Sequence, residues 1–277
     1  MTYNVHSCKG RDGRILPERI AEVLDAYKPD VAGLQEVRMG RISPEAVDHP
    51  EKVRVGTVEP PVGQSPLPPL ASIPRLRVGV DQPGRIARMI GMKPLFYPLI
   101  RSGEEDYGIA LLARQPARLV RAANLPTLPE RPLLERRGAI WAEIQFPRGV
   151  VNVVNTHLGL NREERLAQVG ALLGSEWSIH PESRVPLIVC GDLNAWPLQS
   201  AYRRLRSRFQ DVQRIGARRP LPTWPSNFPL LRIDHILVGC PVRVLSVEVP
   251  RTPLTRVASD HLPVIADLEF EDGFDAS

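Results

Sequence analysis

Short apolar runs alternate along the chain with stretches whose apolar residues recur at helical spacing. The runs at 149–156 and 185–190 have little polar relief, which is typical of strands buried on both faces. Helical spacing over 17–27 and 161–177 predicts two amphipathic helices. The other predicted elements are a short helix at 81–92 and strands at 1–5, 31–37, 108–114, 139–146, 232–238, 242–249 and 262–270. This alternation predicts an α/β protein with large sheets.

One stretch, residues 43–80, follows neither pattern. It carries eight prolines, a density that excludes a helix or a central strand. We therefore expect a proline-rich insertion at about 43–80. No other composition shift divides the chain, so we expect a single domain over 1–270 and a short C-terminal tail at 271–277.

Composition excludes several classes of protein. Of the 277 residues, 43% are hydrophobic and 24% are charged, which is ordinary for a globular protein and argues against a disordered chain, a coiled coil or a fibre. No apolar run is long enough to cross a bilayer, and the N-terminus lacks the apolar stretch of a signal peptide. Three cysteines, an odd number, fit a reducing compartment. We expect a cytoplasmic monomer.

The net charge favours an anionic partner without identifying it. A formal charge of +5 suits nucleic acid or a phospholipid headgroup. However, only four of the 36 basic residues are lysines, a ratio typical of a GC-rich genome. Seven arginines lie between Arg203 and Arg219, and they fit equally well a surface that tracks a phosphate backbone or a solvated helix face.

Polar residues stand at or near the ends of the apolar strands, where a buried charge needs a partner. One pocket in which they coordinate a hard cation such as Mg²⁺ or Mn²⁺ would explain them together. Asp192 and Asn194 point to the same face of an extended chain, so one can act on a water while the other donates an amide N–H. These polar residues are Asn4, Glu36, His157, Asp192, Asn194, Asp234, Asp260 and His261.

Seven short motifs follow one another along nearly the whole chain and contain these polar residues. The motifs are Thr2-Tyr3-Asn4-Val5-His6, Leu34-Gln35-Glu36-Val37, Tyr107-Gly108-Ile109-Ala110-Leu111-Leu112-Ala113-Arg114, Asn155-Thr156-His157-Leu158, Gly191-Asp192-Leu193-Asn194, Arg232-Ile233-Asp234-His235-Ile236 and Ser259-Asp260-His261-Leu262-Pro263. In this order they resemble the motifs of the endonuclease/exonuclease/phosphatase superfamily of metal-dependent phosphoesterases. The resemblance implies a four-layered α/β/β/α sandwich, with two mixed β-sheets flanked by helices.

The resemblance implies how a metal and the substrate are held. Glu36 would be the principal ligand of Mg²⁺ or Mn²⁺, with Asp260 near the metal. Asn4 would contribute to the metal site, touch the phosphate and orient the water-activating residue. His6, where relatives often carry an acid or an arginine, could be a weak ligand, a phosphate contact or a structural histidine. Trp224 could stack on a base or sugar, or form part of the pocket wall.

The resemblance also implies catalytic roles. Asp192 would position or deprotonate the attacking water, and Asn194 would hold a phosphoryl oxygen. His261, held by Asp234, would hydrogen-bond the phosphoryl group in the transition state. His157 would contact the phosphate from the other side.

Three functions remain open at this point. The first is hydrolysis of phosphodiester bonds in nucleic acid, favoured by the positive charge and Trp224. The second is hydrolysis of a phospholipid or inositol phosphate, as in the sphingomyelinase-like and GPI-anchor lipid remodelling-like members, for which the apolar segments 66–70 and 226–231 are candidate lipid contacts. The third is a catalytically silent binding module on the same fold.

Overall fold

A computed structural model describes residues 1–40, 80–177, 186–239 and 242–270. Of the expected proline-rich insertion at 43–80, the structure describes only residue 80. Residues 43–79 and the expected tail at 271–277 lie outside the described residues.

The first β-sheet has four strands in the order β1-β2-β4-β3. Strands β1 and β2 run parallel because the helix between them carries the chain back across the sheet. Two helices cover the outer face of this sheet, and a short 3-10 turn at His6–Cys8 follows the first strand. The elements are β1 Thr2–Asn4, α1 Pro17–Tyr27, β2 Val31–Gly40, α2 Gln82–Ile90, β3 Lys93–Ser102 and β4 Glu105–Ala113.

The second β-sheet has six strands in the order β5-β6-β7-β8-β10-β9. All its neighbours pair antiparallel except β7 and β8, which α3 connects. Its outer face packs against α3 and α4. The elements are β5 Ala117–Asn124, β6 Gly138–Phe146, β7 Gly149–His157, α3 Arg162–Leu172, β8 Leu187–Asp192, α4 Ser200–Arg206, β9 Gln210–Asp211, α5 Val212–Gly216 and β10 Asp234–Val238.

A hairpin of β11 (Val242–Glu248) and β12 (Ile265–Phe270) completes the described fold, with α6 (Pro253–Ala258) between its strands. Just before β12, Val264 exchanges two backbone hydrogen bonds with Thr2, at 2.9 and 3.0 Å. This pairing brings the segment that contains Asp260 and His261 next to β1.

The core has three apolar layers. One lies between the two sheets, one between the first sheet and α1 and α2, and one between the second sheet and α3 and α4. Helices on both outsides of two face-to-face mixed sheets form the four-layered α/β/β/α sandwich, so the predicted fold is confirmed. Among the described helices, none has the length and apolar character needed to cross a membrane.

The elements missed from the sequence are edge strands and short helices. Strand β3 contains Pro94 and Pro98, which argue against a central strand, but β3 is the outer strand of its sheet, where prolines are tolerated. Strand β5 is the outer strand of the other sheet and mixes arginine with alanine. The predicted helix at 161–177 is shorter in the structure, because Asn161 caps its start and regular α-structure ends at Leu172.

Candidate active site

Four residues form one row across the site end of the second sheet. In the register of the strands, Gly138 lies opposite His157, His157 beside Asp192, and Asp192 opposite Asp234. A continuous row of backbone pairs therefore places one histidine and two carboxylates at the same edge. Neighbours in this row are 19, 35 and 42 positions apart in sequence, yet ordinary strand pairing brings them together.

Asp192 is at the centre of this arrangement and is buried. Its Oδ2 accepts a hydrogen bond from Asn4 Nδ2 at 3.0 Å, and its Oδ1 accepts one from the backbone N–H of Asn194 at 2.9 Å. Burial and the nearby Asp234 carboxylate raise the pKa of Asp192 to about 7, although His261, Asn4 and Asn194 act in the opposite direction. Its carboxylate is therefore held close to its own titration point at neutral pH.

His261 lies against two carboxylates. Its Nδ1 is 2.9 Å from Asp234 Oδ2, and its Nε2 is 3.7 Å from Asp192 Oδ2. Burial alone would lower the pKa of His261, but Asp234 and Asp192 outweigh it and raise the pKa to about 10. The imidazole is therefore cationic at neutral pH.

Asp234 receives a second hydrogen bond that the sequence analysis did not predict. Thr223 Oγ1 donates to Asp234 Oδ2 at 2.5 Å, and both side chains are fully buried. The other oxygen, Oδ1, is buried and has no hydrogen-bond partner among the residues that the structure describes. Thr223 thus fixes the carboxylate on the side that holds His261.

Glu36 reaches the site through a break in strand regularity. It is the bulged residue where the pairing of β2 with β4 shifts between Gln35 and Val37, and its φ of 59° is left-handed. A bulge redirects a side chain, and such backbone in a residue other than glycine is uncommon outside functional sites. Asn4 Nδ2 donates to Glu36 Oε1 at 2.9 Å as well as to Asp192, so one amide links the two carboxylates.

His157 is held by an arginine that the sequence analysis missed. Arg137 Nη1 lies 2.9 Å from His157 Nδ1, and both side chains are buried. Burial, then Arg137 and then His261, lower the pKa of His157 well below its usual value, so the ring is neutral. A neutral imidazole can accept a hydrogen bond from a guanidinium. Arg137 also pairs with Glu135, with 3.1 Å between Nη1 and Oε1.

The position of Arg137 could have been found from the sequence. Strands β6 and β7 are joined by the two-residue turn 147–148, which sets their register and places Gly138 opposite His157. The residue before Gly138 then lies beside the histidine. Asn194 completes this side, with its Nδ2 3.3 Å from His157 Nε2 and 2.9 Å from the backbone oxygen of Leu158.

Asp260, His6 and Trp224 form a second group, nearer the solvent. Trp224 Nε1 donates to Asp260 Oδ2 at 3.3 Å, and His6 Nδ1 lies 3.7 Å from Asp260 Oδ1. The backbone N–H of His6 donates to Asn4 Oδ1 at 3.1 Å, which connects this group to the buried one. The Trp224 ring centroid is 6.5 Å from that of His261.

The residues present fit a hard divalent cation. One ligand atom each from Asp192, Asp234 and His261 lies within 4.8 Å of the others. The cationic imidazole makes His261 a poor ligand, but two carboxylates meet here and Asp234 Oδ1 has no partner, so negative charge is in excess. Glu36, joined to Asp192 through Asn4, adds a further carboxylate of the kind that Mg²⁺ prefers.

A cavity elsewhere shares none of this chemistry. It has a volume of about 600 Å³ and opens between the sheets at the other end of the strands, lined by residues such as Met1, Phe146 and Phe270. Neither Asp192 nor any other predicted site residue lines it. The polar cluster, and not this largely apolar cavity, is therefore the candidate active site.

The comparisons with known proteins identify the family. The model of the endonuclease/exonuclease/phosphatase family matches residues 1–261, and the chain belongs to this family. An uncharacterised protein of Escherichia coli K12, YbhP, is 31% identical over 140 residues, which are 48% of this chain and 53% of that protein. The chain thus spans about half the length of the curated relatives it matches.

Solved structures share the fold. An endonuclease/exonuclease/phosphatase from Beutenbergia cavernae superposes with a TM-score of 0.65 at 22% identity, covering 100% of this chain and 72% of that one. The zebrafish (D. rerio) protein TDP2, complexed with a single-strand DNA product, superposes with a TM-score of 0.59 at 17% identity, covering 97% of both chains. At these identities the similarity shows the fold alone.

Proposed function

We propose that this chain is a divalent-metal-dependent phosphoesterase that hydrolyses phosphodiester bonds by direct attack of an activated water. The observation that carries the proposal is the buried Asp192 carboxylate, which accepts a hydrogen bond from Asn4 and faces the cationic His261. A base poised near neutral pH, next to a group that can neutralise developing charge, suits attack on a phosphate.

Asp192 acts as the base that orients the water and takes its proton. A pKa of about 7 is close to the value that gives a general base its greatest effect at neutral pH. The hydrogen bonds from Asn4 and from the backbone of Asn194 fix the direction of the carboxylate. The attacking oxygen is thus positioned without a covalent enzyme intermediate.

His261 stabilises the phosphoryl oxygens as charge develops. Its Nδ1 is bound to Asp234, so its Nε2–H is the donor that faces the reacting group. On the other side, the neutral His157 and the amide of Asn194 hold a second phosphoryl oxygen. Positioning and charge neutralisation of this kind dominate phosphoryl transfer.

Glu36 would hold Mg²⁺ or Mn²⁺, assisted by Asn4 and Asp260. Such an ion supplies neutralisation of the phosphate charge when bound. Asn4 serves both sites, because its amide contacts the carboxylates of Glu36 and Asp192. That His6 is a weak metal ligand or contacts the phosphate stays a prediction.

Nucleic acid is the first substrate predicted from the sequence, and the DNA product bound to zebrafish TDP2 is consistent with it. Trp224 lies at the mouth of the site, where an aromatic ring could stack on a base. The arginines between Arg203 and Arg219 give less support. Gln210, in the middle of this arginine segment, pairs with Val238. Val238 is at the end of β10 that is remote from Asp234, so the segment leads away from the site.

A phospholipid or inositol phosphate is the second candidate. One observation favours a lipid, namely that large apolar side chains are exposed on the loops at the site end of the second sheet. A catalytically silent binding module is disfavoured, because Glu36, Asp192 and His261 are all present. Asn4 hydrogen-bonds both Glu36 and Asp192, and His261 Nε2 lies 3.7 Å from Asp192 Oδ2.

The test is hydrolysis of bis(p-nitrophenyl) phosphate and nicking of supercoiled plasmid, each with Mg²⁺, with Mn²⁺ and with EDTA. The wild type is expected to hydrolyse the small diester only with metal, and Asp192→Asn is expected to lose about 100-fold or more of the rate. The exposed Asp12→Asn serves as the matched control. Metal-independent turnover, or near-normal turnover by a folded Asp192→Asn, would refute the proposal.

A further inference from the structure

The exposed apolar side chains of the protein are unevenly distributed. Among the described residues, nine large hydrophobic side chains are exposed. Three of them, Met89, Ile215 and Leu245, lie singly on α2, α5 and β11. The other six lie on loops at the site end of the second sheet, and we call them the apolar rim: Leu133, Leu160, Trp196, Leu198, Phe228 and Leu230.

Two rim residues lie on the His157 side. Leu133, which is 87% exposed, is in the loop between β5 and β6 that ends at Arg137, the residue bound to His157. Leu160, 73% exposed, comes three residues after His157 itself. Both residues therefore belong to loops that adjoin, at one end, the histidine that is expected to touch the phosphate.

The other four rim residues lie on the side of Asp192 and Asp234. Trp196 and Leu198 follow Asn194 in the loop that leaves the end of β8. Phe228 and Leu230 lie in the turn between Trp224 and Leu231, shortly before Asp234. Four separate loops with exposed apolar side chains therefore adjoin the row formed by His157, Asp192 and Asp234, which we call the catalytic row.

The turn that carries Phe228 is firmly attached to the site. The backbone N–H groups of Leu230 and Leu231 both donate to the Trp224 oxygen at 2.8 Å. The N–H of Ser226 donates to the backbone oxygen of Asp260 at 2.7 Å, and its hydroxyl donates to that of Ser259 at 2.7 Å. Phe228 and Leu230 are therefore exposed on a fixed support that rests on the segment next to His261.

The charge of the rim loops does not suit a polyphosphate chain. Residues 195–199 and 220–231 contain no aspartate, glutamate, lysine or arginine. In the loop of Leu133, the three arginines at 131, 136 and 137 are interspersed with Glu130 and Glu135, so this loop carries no uninterrupted row of cations. A surface that binds a nucleic acid backbone needs a row of cations. A surface that enters a lipid interface needs exposed leucine, phenylalanine and tryptophan, with positive charge on the molecule as a whole.

We propose that the apolar rim inserts into the surface of an anionic phospholipid bilayer, and that the substrate is the phosphodiester of a phospholipid headgroup. The overall charge of +5 attracts the protein to such a surface, and the uncharged rim enters it. The substrate assignment rests on the proposed phosphoesterase activity, whereas the membrane contact does not.

The chemistry proposed at the membrane is hydrolysis and needs no further reactant. The oxygen of water bonds to phosphorus and one ester P–O bond breaks. The departing alcohol takes up a proton, and a phosphate monoester remains on the other product. The rim keeps the headgroup phosphate at the catalytic row while the acyl chains stay in the bilayer.

The test compares two double variants of the full chain. Phe228→Ser with Leu230→Ser removes two rim side chains of 69% and 65% exposure. The matched control, Met89→Ser with Leu245→Ser, removes two side chains of 51% and 55% exposure away from the site. Each protein is sedimented with vesicles of phosphatidylcholine, with and without phosphatidylglycerol, and its hydrolysis of phosphatidylglycerol, of bis(p-nitrophenyl) phosphate and of single-stranded DNA is measured.

The expected result is wild-type binding to the anionic vesicles that falls about tenfold or more in the rim variant and not in the control. Hydrolysis of phosphatidylglycerol should fall with it, while hydrolysis of the soluble diester stays unchanged. Absence of vesicle binding by the wild type, or equal loss in both variants, would overturn the membrane contact. Unchanged vesicle binding with a selective loss of DNA hydrolysis would assign the rim to nucleic acid instead.

Failure of the proposed function is distinguishable from failure of this inference. If the wild type hydrolyses no diester with either metal but still binds anionic vesicles through the rim, the phosphoesterase proposal is wrong and the membrane contact stands. If it hydrolyses the soluble diester and ignores vesicles, the phosphoesterase proposal stands and the membrane contact is wrong.

Discussion

Strand β10 borders two buried clusters of an aspartate and a histidine, and they differ in charge balance. At its start, Asp234 binds His261, next to a second carboxylate, Asp192. The residue after Asp234, His235, belongs to the other cluster, and its Nδ1 lies 3.6 Å from Asp211 Oδ2. Neighbouring residues of a strand point to opposite faces, so one strand serves both clusters.

The Asp211 carboxylate is neutralised, and both of its oxygens accept hydrogen bonds. Arg232 Nη1 donates to Asp211 Oδ2 at 2.8 Å, Tyr202 donates to the same oxygen at 2.5 Å, and the backbone N–H of Gln213 donates to Oδ1 at 2.9 Å. Burial alone would raise the pKa of Asp211, but His235, Arg232 and Tyr202 outweigh it and hold the pKa well below its usual value. This carboxylate is satisfied and has a structural role.

In the cluster of Asp192, Asp234 and His261, which we call the site cluster, no arginine among the described residues bonds to either carboxylate. Two carboxylates share one imidazolium, the pKa of Asp192 is raised to about 7, and Asp234 Oδ1 has no partner. A buried carboxylate therefore does not by itself indicate a functional site. The indication is a buried excess of negative charge that the protein alone leaves unbalanced.

The largest expected contrast is between Asp192→Asn and Asp211→Asn. Asp192→Asn should lose about 100-fold or more of its turnover and keep its stability, because a carboxylate with a raised pKa is a net cost to the folded state at pH 8. Asp211→Asn should lose about 3–5 kcal/mol of unfolding free energy, because Arg232 is left buried without its partner. Urea unfolding and diester hydrolysis measure both.

The contrast fails if the two variants behave alike. A large loss of stability in Asp192→Asn would give that residue a structural role similar to that of Asp211. Full stability in Asp211→Asn would show that the Arg232 pair contributes little.

The next expected effect comes from Asp234→Asn, which removes the carboxylate that holds His261. We expect turnover to fall about 100-fold, because a neutral, less well oriented imidazole stabilises the phosphoryl oxygens poorly. Thr223→Val, which removes only the supporting hydroxyl, should cost much less. If Thr223→Val is as inactive as Asp234→Asn, packing at this position matters more than the charge on His261.

Arg137→Gln should have a smaller effect and tests a positioning role. Removing the guanidinium leaves burial as the main cause that lowers the pKa of His157, so this pKa should rise toward its usual value. We expect about a tenfold loss of kcat with a changed pH profile, and NMR titration of the His157 ring measures the shift directly. Arg137→Lys should restore part of the effect. An unchanged His157 titration would separate Arg137 from that histidine.

The smallest expected effect is on stability as a function of pH. The pKa of His261 is raised in the folded state, so its contribution to stability is complete below about pH 6.5 and is lost as pH rises toward 10. Between pH 7.5 and 9.5 the unfolding free energy of the metal-free protein should fall by up to about 1.4 kcal/mol per pH unit. In Asp234→Asn this slope should be weaker. Equal slopes in both proteins would contradict the shift.

The sequence predicted the fold and most of the site because both follow from regular strands. The runs at 149–156 and 185–190 are central strands, and their ends carry His157 and Asp192, so ordinary pairing brings these side chains together. Glu36 is predicted at the site as a polar residue near a strand end, and the family resemblance implies its role as the principal metal ligand. Its bulge and left-handed backbone cannot be read from periodicity.

The remainder depends on contacts between distant segments. Thr223 acts on Asp234 through a side-chain hydrogen bond that no local pattern encodes, whereas the place of Arg137 beside His157 follows from the register of β6 and β7. The difference between Asp211 and Asp192 depends on Arg232, whose partner is decided by strand pairing. The apolar segment 226–231 was noted in the sequence, but its alignment with three other loops around the site required the fold.

We expect a divalent cation to neutralise the excess negative charge of the site cluster. Titration with Mn²⁺, monitored by electron paramagnetic resonance, tests this on the wild type, Glu36→Gln and Asp211→Asn. We expect the wild type to bind Mn²⁺, with binding weakened about tenfold or more in Glu36→Gln and unchanged in the folded fraction of Asp211→Asn. Absence of binding by the wild type, or equal affinity in Glu36→Gln, would contradict it.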